Sequence, residues 1–235
     1  MLRRFVNIRF LYLQKQTSSR KIFKVENLQS VTRSYCQLTR SCWNCQAVNE
    51  KTEIFCNSCN SIQKIHPKIS FEDYFDLFGI QKEPRINIKE LTKRFRSVQS
   101  QIHPDKFSTK TKEEQTLSSE WSSLVNKAYR TLQSPLKRGE YLLSLRGIQL
   151  NEEAKTDDNE FLIEMMERNE TVEEAETKDE LLSILNELQD KIADLGNKFA
   201  SSYQSKNYAA AKNYLIKMKY FLSIENITKE KILRL

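Results

Sequence analysis

Two groups of residues in this chain have types and spacings that could do chemistry. The first is a set of four cysteines: Cys42-Trp43-Asn44-Cys45, ten residues, then Cys56-Asn57-Ser58-Cys59. Paired C-x-x-C knuckles at this spacing are a zinc signature. Four thiolates match the softness and tetrahedral demand of Zn²⁺, and each tight knuckle offers two sulfurs to one ion. Protein would fill all four positions, leaving none for water activation, so the expected role is structural, with one Zn²⁺ per chain bound by Cys42, Cys45, Cys56 and Cys59. Disulfide pairing is the alternative and is disfavoured in a reducing compartment. A redox C-x-x-C is a further alternative, which a neighbouring βαβ pattern would support. Cys36, the fifth cysteine, is read as incidental.

The second group is His103-Pro104-Asp105-Lys106, a charged turn broken by proline. His103 has no companions for catalysis. The chain contains no Gly-x-Ser-x-Gly elbow, no Walker loop and no His-Glu-x-x-His helix, and its only glycines are Gly79, Gly139, Gly147 and Gly196. A phosphate-cradling loop is therefore excluded, and this chain is expected neither to bind nucleotide nor to be an enzyme.

The elements that must hold the turn are amphipathic on both sides. Ile88, Leu91, Phe95, Val98 and Ile102 recur at helical spacing before it, and Leu117, Trp121, Leu124, Ala128 and Leu132 after it. Pro104 removes a donor and biases His103 out of the helical region, ending the first helix near residue 102. Thr111 with Glu114 is a capping box for the second, and Asn87 with Glu90 a looser version for the first. Residues 103–110 then read as a loop between antiparallel helices. Lys89, Lys93 and Arg96 lie opposite the apolar stripe at ~3.6 residues per turn and form a basic, solvent-facing row.

This combination resembles the J-domain of DnaJ-type co-chaperones, with Tyr74-Phe75-Asp76-Leu77-Phe78-Gly79 similar to its opening helix. Ala128 to Leu132 and Ser134-Pro135-Leu136-Lys137-Arg138 are similar to its closing part. A cap at Ser70 and the stop at Gly147 bound the segment, 70–147. The resemblance implies that His103, Pro104, Asp105, Lys106, Lys89, Lys93 and Arg96 contact a seventy-kilodalton heat-shock chaperone. There Asp105 would engage a cationic partner and promote the chaperone's ATP hydrolysis.

Upstream, residues 1–40 hold nine of the 38 basic side chains but one of the 31 acidic ones, Glu26. Arg3, Arg4 and Arg9 punctuate Phe5, Ile8, Phe10, Leu11 and Leu13, the composition of a mitochondrial transit peptide and disordered segment; a disordered basic tail or a nucleic-acid arm is the alternative. Residues 41–235 carry 29 basic against 30 acidic side chains, a net charge of −1. The basic character thus belongs to the first forty residues, and the remainder has no net positive field with which to hold nucleic acid. No apolar run reaches membrane-spanning length. The expected location is the mitochondrial matrix, with room for a minor cytosolic pool.

Downstream, residues 158–235 read as three helices: 161–176, one opened by the Thr177/Glu180 capping box, and one from Asn207 to Ile227 or beyond. The expected fold class is all-α: an antiparallel helical-hairpin J-domain plus a C-terminal three-helix bundle, with a small tetracysteine module over 41–62. A J-domain followed by such a bundle resembles the HscB-type co-chaperones of iron-sulfur cluster assembly. That resemblance implies a scaffold-protein contact through Leu162, Ile163, Met166, Glu167, Glu170 and Glu174, with Phe221 of the last helix beside them as part of an exposed anchor. The residues have their own logic. Leu162, Met166, Glu170 and Glu174 are i,i+4 neighbours forming a ridge, apolar above and acidic below; the alternative is that Leu162 and Met166 are bundle core. The implied function is to deliver the iron-sulfur scaffold to the chaperone and stimulate its ATPase, with Leu-Tyr-Arg-motif proteins as candidate further clients. A general J-protein for many clients and a zinc-containing nucleic-acid binder are the alternatives.

Overall fold

A computed structural model describes residues 39–50, 52–65, 73–150 and 156–235; the basic amino-terminal segment with Cys36, and Ser70, lie outside the described residues. The described residues are mostly helical, as the hydrophobic periodicity predicts. They comprise a short hairpin, β1 (Thr39–Ser41) and β2 (Val48–Glu50), then α1 (Tyr74–Leu77), α2 (Ile88–Ile102), a 3₁₀ turn (Pro104–Phe107), α3 (Lys112–Gln133), α4 (Pro135–Ser144), α5 (Asn159–Glu174), α6 (Lys178–Gln204) and α7 (Tyr208–Arg234). They fall into two compact units.

The first unit holds the residues through Gly79 together with Gln99–Leu124. Its hairpin is antiparallel, with Thr39 opposite Glu50, Arg40 opposite Asn49 and Ser41 opposite Val48. The two cysteine knuckles repeat one design. In each, the first cysteine's carbonyl accepts the N–H four residues on, Gln46 to Cys42 at 3.1 Å and Asn60 to Cys56 at 2.9 Å. Gln46 and Asn60 take the left-handed conformation that closes these turns, with φ of 62° and 59°. Helix α1 is a single turn whose cap is Asp73, not Ser70: the Asp73 carboxylate accepts the N–H groups of Phe75 and Asp76. A short acidic side chain three residues nearer the helix supplies the same acceptor that Ser70 was expected to give. Phe75, Ile102, Leu117 and Trp121 are fully or nearly fully buried. Residues 103–110 are more ordered than a plain loop, because Phe107 is buried and pins a 3₁₀ turn over Pro104–Phe107. The Thr111/Glu114 capping box opens α3 as expected, with Glu114 N–H 3.3 Å from Thr111 Oγ1 and Thr111 N–H 3.4 Å from Glu114 Oε2.

The second unit holds Ile80–Val98 and Val125–Leu235. Phe95 stacks on Tyr129 at 4.1 Å between centroids, and Thr92 Oγ1 lies 3.1 Å from the Tyr129 hydroxyl, tying α2 to α3 here. Arg138 on α4 is buried, and its guanidinium donates to the carbonyls of Pro84 at 2.8 Å and Leu132 at 2.6 Å. Gly139 lets α4 approach the bundle closely, since a Cβ there would fall 2.6 Å from Leu215 Cδ2 and 3.2 Å from Phe199 Cε1. Helix α6 starts with the reciprocal Thr177/Glu180 capping box and packs along α7, burying Leu181, Leu188, Leu195 and Phe199 with Ala211, Leu215, Met218 and Ile224. Helix α5 begins two residues earlier than its sequence suggests, because Asp158 caps it by accepting the Phe161 N–H at 3.1 Å. At its other end Lys231 Nζ donates to the carbonyls of Val172 and Glu173, placing a cation at the negative end of the helix.

Candidate functional sites

The four knuckle cysteines converge. Their Sγ atoms all lie within 4.8 Å of one another, with Cys42 to Cys59 at 3.7 Å and Cys45 to Cys56 at 3.6 Å. A disulfide needs ~2.0 Å between sulfurs, whereas a tetrahedral ion with metal–sulfur bonds of ~2.3 Å separates its ligands by ~3.8 Å. The cluster has the second spacing. Donors surround it: the backbone N–H groups of Asn44 and Ser58 point at Cys42 Sγ and Cys56 Sγ at 3.3 and 3.4 Å, the same i+2 contact in each knuckle. Side-chain amides add to these, Gln63 Nε2 on Cys42 Sγ at 3.3 Å and Asn49 Nδ2 on Cys56 Sγ at 3.4 Å.

The thiols respond to that surround unequally. Cys59 is lowered to about 6, first by the Ser61 hydroxyl and then by the Ser61 backbone; Cys56 is lowered, chiefly by its hydrogen bond with the Cys59 backbone. Cys45 is raised to about 11: the Ala47 backbone lowers it, and the neighbouring sulfurs with desolvation outweigh that. Crowded thiols repel as thiolates, so a cation among them is what would let all four ionise. The described residues can therefore hold a metal ion at this cluster.

The 3₁₀ turn presents His103-Pro104-Asp105-Lys106. The Asp105 side chain is 88% exposed, and His103 and Lys106 are also exposed, above a buried Phe107. His103 Nδ1 accepts the Asp105 N–H at 3.3 Å and lies 3.4 Å from Asp105 Oδ2, so the imidazole caps the start of the turn while most of the Asp105 carboxylate stays open to solvent. In the second unit, Lys89, Lys93 and Arg96 are exposed on α2 at i,i+4 and i,i+7 spacing, which puts them on one face. Beside them Glu90 and Arg94 pair at 2.7 Å, and that contact holds the Glu90 carboxyl below its ordinary range.

The ridge on α5 divides. Ile163 and Met166 are 56% and 64% exposed, Leu162 is half-buried, and Glu167, Glu170 and Glu174 are exposed. Phe221 does not belong to that surface: it is 3% exposed, tilted against Phe161 at 5.9 Å between centroids. Its sequence neighbours on α7 are apolar on more than one side, so helical spacing alone does not tell its inward from its outward positions. Asn49, Ser61 and Gln63, which the cysteine spacing does not single out, are buried polar residues around the sulfurs. The only signal for them is polarity immediately beside the knuckles.

The sequence and the fold are similar to those of known proteins. Residues 157–229 match the family described as HSCB C-terminal oligomerisation domain. The mouse iron-sulfur cluster co-chaperone protein HscB is 37% identical over 194 residues, covering 80% of this chain and 81% of the mouse protein. The crystal structure of human co-chaperone protein HscB superposes with a TM-score of 0.74 at 35% identity, over 83% of this chain and 100% of that one. Chaperone HscB from Vibrio cholerae gives 0.61 at 28% identity, over 67% of this chain and 96% of its own.

Proposed function

The chain belongs to the HscB family of iron-sulfur cluster co-chaperones, and from that premise we propose that it binds an iron-sulfur scaffold protein and hands it to a seventy-kilodalton heat-shock chaperone whose ATPase it stimulates. The observation that carries the reading is Asp105, a carboxylate held out to solvent on a turn anchored by buried Phe107. An exposed carboxylate on a rigid turn can receive a guanidinium or ammonium group with little ordering cost. The basic row Lys89, Lys93 and Arg96 supplies charge attraction to an acidic partner surface, and His103, Pro104 and Lys106 shape the turn and its rim.

On α5, Ile163 and Met166 offer adaptable apolar contact rimmed by Glu167, Glu170 and Glu174, which suits a protein surface with basic margins. Leu162 joins this contact from its half-buried position, and Phe221 supports it from beneath rather than touching the client. Carrying the chaperone and client contacts in one chain raises the client's effective concentration at the chaperone. Cys42, Cys45, Cys56 and Cys59 would hold one Zn²⁺, which supplies a structural crosslink with no open coordination position. Residues 1–40 would direct the chain to the mitochondrial matrix. Among the described residues no helix is long and apolar enough to cross a membrane. The excess of acidic side chains near α5 disfavours nucleic acid as partner, and Leu-Tyr-Arg-motif proteins remain candidate further clients.

Affinity capture on the full chain tests the reading. Purified scaffold and chaperone should both be retained by the wild-type chain, and the scaffold should be lost with Ile163→Ala plus Met166→Ala. Retention of neither protein by the wild-type chain would refute the proposal.

A further inference from the structure

One line of buried hydrogen bonds runs from the cysteine cluster to the turn that carries Asp105, entirely within the first unit. Gln63 is its hub. The side-chain amide of Gln63 donates to Cys42 Sγ at 3.3 Å and to the Ser61 carbonyl at 2.9 Å. The backbone carbonyl of the same residue accepts the indole N–H of Trp121 at 2.6 Å. Trp121 is fully buried on α3, and three residues before it Ser118, also fully buried, donates its hydroxyl to the Ile102 carbonyl at 2.7 Å. Residues three apart share a helix face, so one face of α3 meets both the cysteine module and the end of α2.

Ile102 is the last residue of α2 and directly precedes His103. Its carbonyl is among those a helix end leaves without an intrahelical partner, and the Lys106 N–H that would otherwise reach it donates instead to the His103 carbonyl at 2.9 Å. The Ser118 hydroxyl therefore satisfies the last carbonyl of α2 at the point where Pro104 stops the helix, and ties that point to α3. A second strut, Lys64 to Glu113 at 3.1 Å, joins the module to the first turn of α3.

We infer that the metal-bearing tetracysteine module is the positioning element of the His103-Pro104-Asp105 turn, acting through Gln63, Trp121 and Ser118. With the ion in place the Cys42 sulfur is fixed and so is the Gln63 amide; the Gln63 carbonyl then sets Trp121, and Ser118 on the same face holds the end of α2. Without the ion the hub loses its fixed acceptor, and the turn samples a wider range of positions. Gln63, Trp121 and Ser118 are positioning residues and touch no partner themselves. This inference rests on the proposed zinc occupancy of the cluster, and on the proposed chaperone role for its consequence, since a looser turn would stimulate the chaperone less.

Amide hydrogen exchange on the full chain, zinc-loaded and chelator-stripped, tests it. Stripping should speed exchange over residues 103–108 by roughly three- to tenfold, the scale of one buried hydrogen bond lost. Trp121→Phe and Ser118→Ala, zinc-loaded with wild-type metal content, should show the same acceleration, and stripping should add nothing further at the turn. A turn that exchanges at the wild-type rate in both zinc-loaded variants overturns the inference, even if the stripped chain unfolds as a whole. Chaperone ATPase stimulation, measured alongside, should fall in step with the exchange. Exchange that responds as described while the zinc-loaded wild-type chain stimulates no chaperone would leave the positioning intact and refute the proposed function instead.

Discussion

The guanidinium of Arg168 lies 5.6 Å from the ring centroid of Phe221, placing a cation over a phenylalanine that is otherwise enclosed. Arg168 is in turn held by Glu164 at 3.0 Å. The pair marks where the bundle core ends and the proposed client surface begins. Phe221→Ala should cost about 3–5 kcal/mol of folding stability, the range for a buried aromatic. Ile163→Ala with Met166→Ala should stay within about 1 kcal/mol of wild type, as exposed truncations usually do, and should weaken scaffold binding by roughly tenfold or more. Thermal melts with calorimetric titration against the scaffold check both; a bundle that tolerates Phe221→Ala would show that this residue is not core.

Lys93→Glu with Arg96→Glu should weaken chaperone docking, and the loss should shrink as salt rises. Exposed charges are screened over ~8 Å at physiological ionic strength. Binding measured from low to high salt decides it, and equal affinity at low salt would remove the basic row from the contact.

How much of this was legible depended on range. The capping boxes at Thr111/Glu114 and Thr177/Glu180 and the two knuckles are encoded within five residues, so spacing reveals them. The turn at His103 is flagged by Pro104, but its 3₁₀ order depends on where Phe107 is buried. The Gln63–Trp121 bond joins residues 58 apart and has no local signature. Phe221 is buried where the sequence suggests surface, because α7 is apolar around much of its circumference. Its inward face is set by packing against Phe161, which no single-helix periodicity contains.

Metal analysis of protein purified under reducing conditions should find one equivalent of zinc. Cys45→Ser should abolish stoichiometric binding and raise exchange over residues 39–65, since three thiolates and a hydroxyl form a poorer site. Content near zero in the wild-type protein would contradict the metal assignment.

Asp158 carries a pH dependence. Its carboxyl is held below its ordinary value first by the Lys217 ammonium, 2.7 Å away, and then by the Phe161 N–H. A carboxyl depressed in the folded state adds stability above its unfolded pKa of ~3.9, and that contribution is lost as pH falls through the folded-state value. Asp158→Asn keeps a capping side chain but loses the ion pair. Its melting temperature should therefore fall less than that of wild type on acidification below about pH 5, as read by circular dichroism. Parallel acid profiles would show that the ion pair adds nothing.

The central claim is tested most directly by the steady-state ATPase rate of a seventy-kilodalton heat-shock chaperone titrated with this chain and with Asp105→Asn. The Asp105 side chain is 88% exposed, so the substitution removes charge without opening a cavity, and circular dichroism should show an unchanged fold. The account predicts saturable stimulation by the wild-type chain and none above basal by Asp105→Asn. Equal stimulation by the two, or none by either, would contradict it.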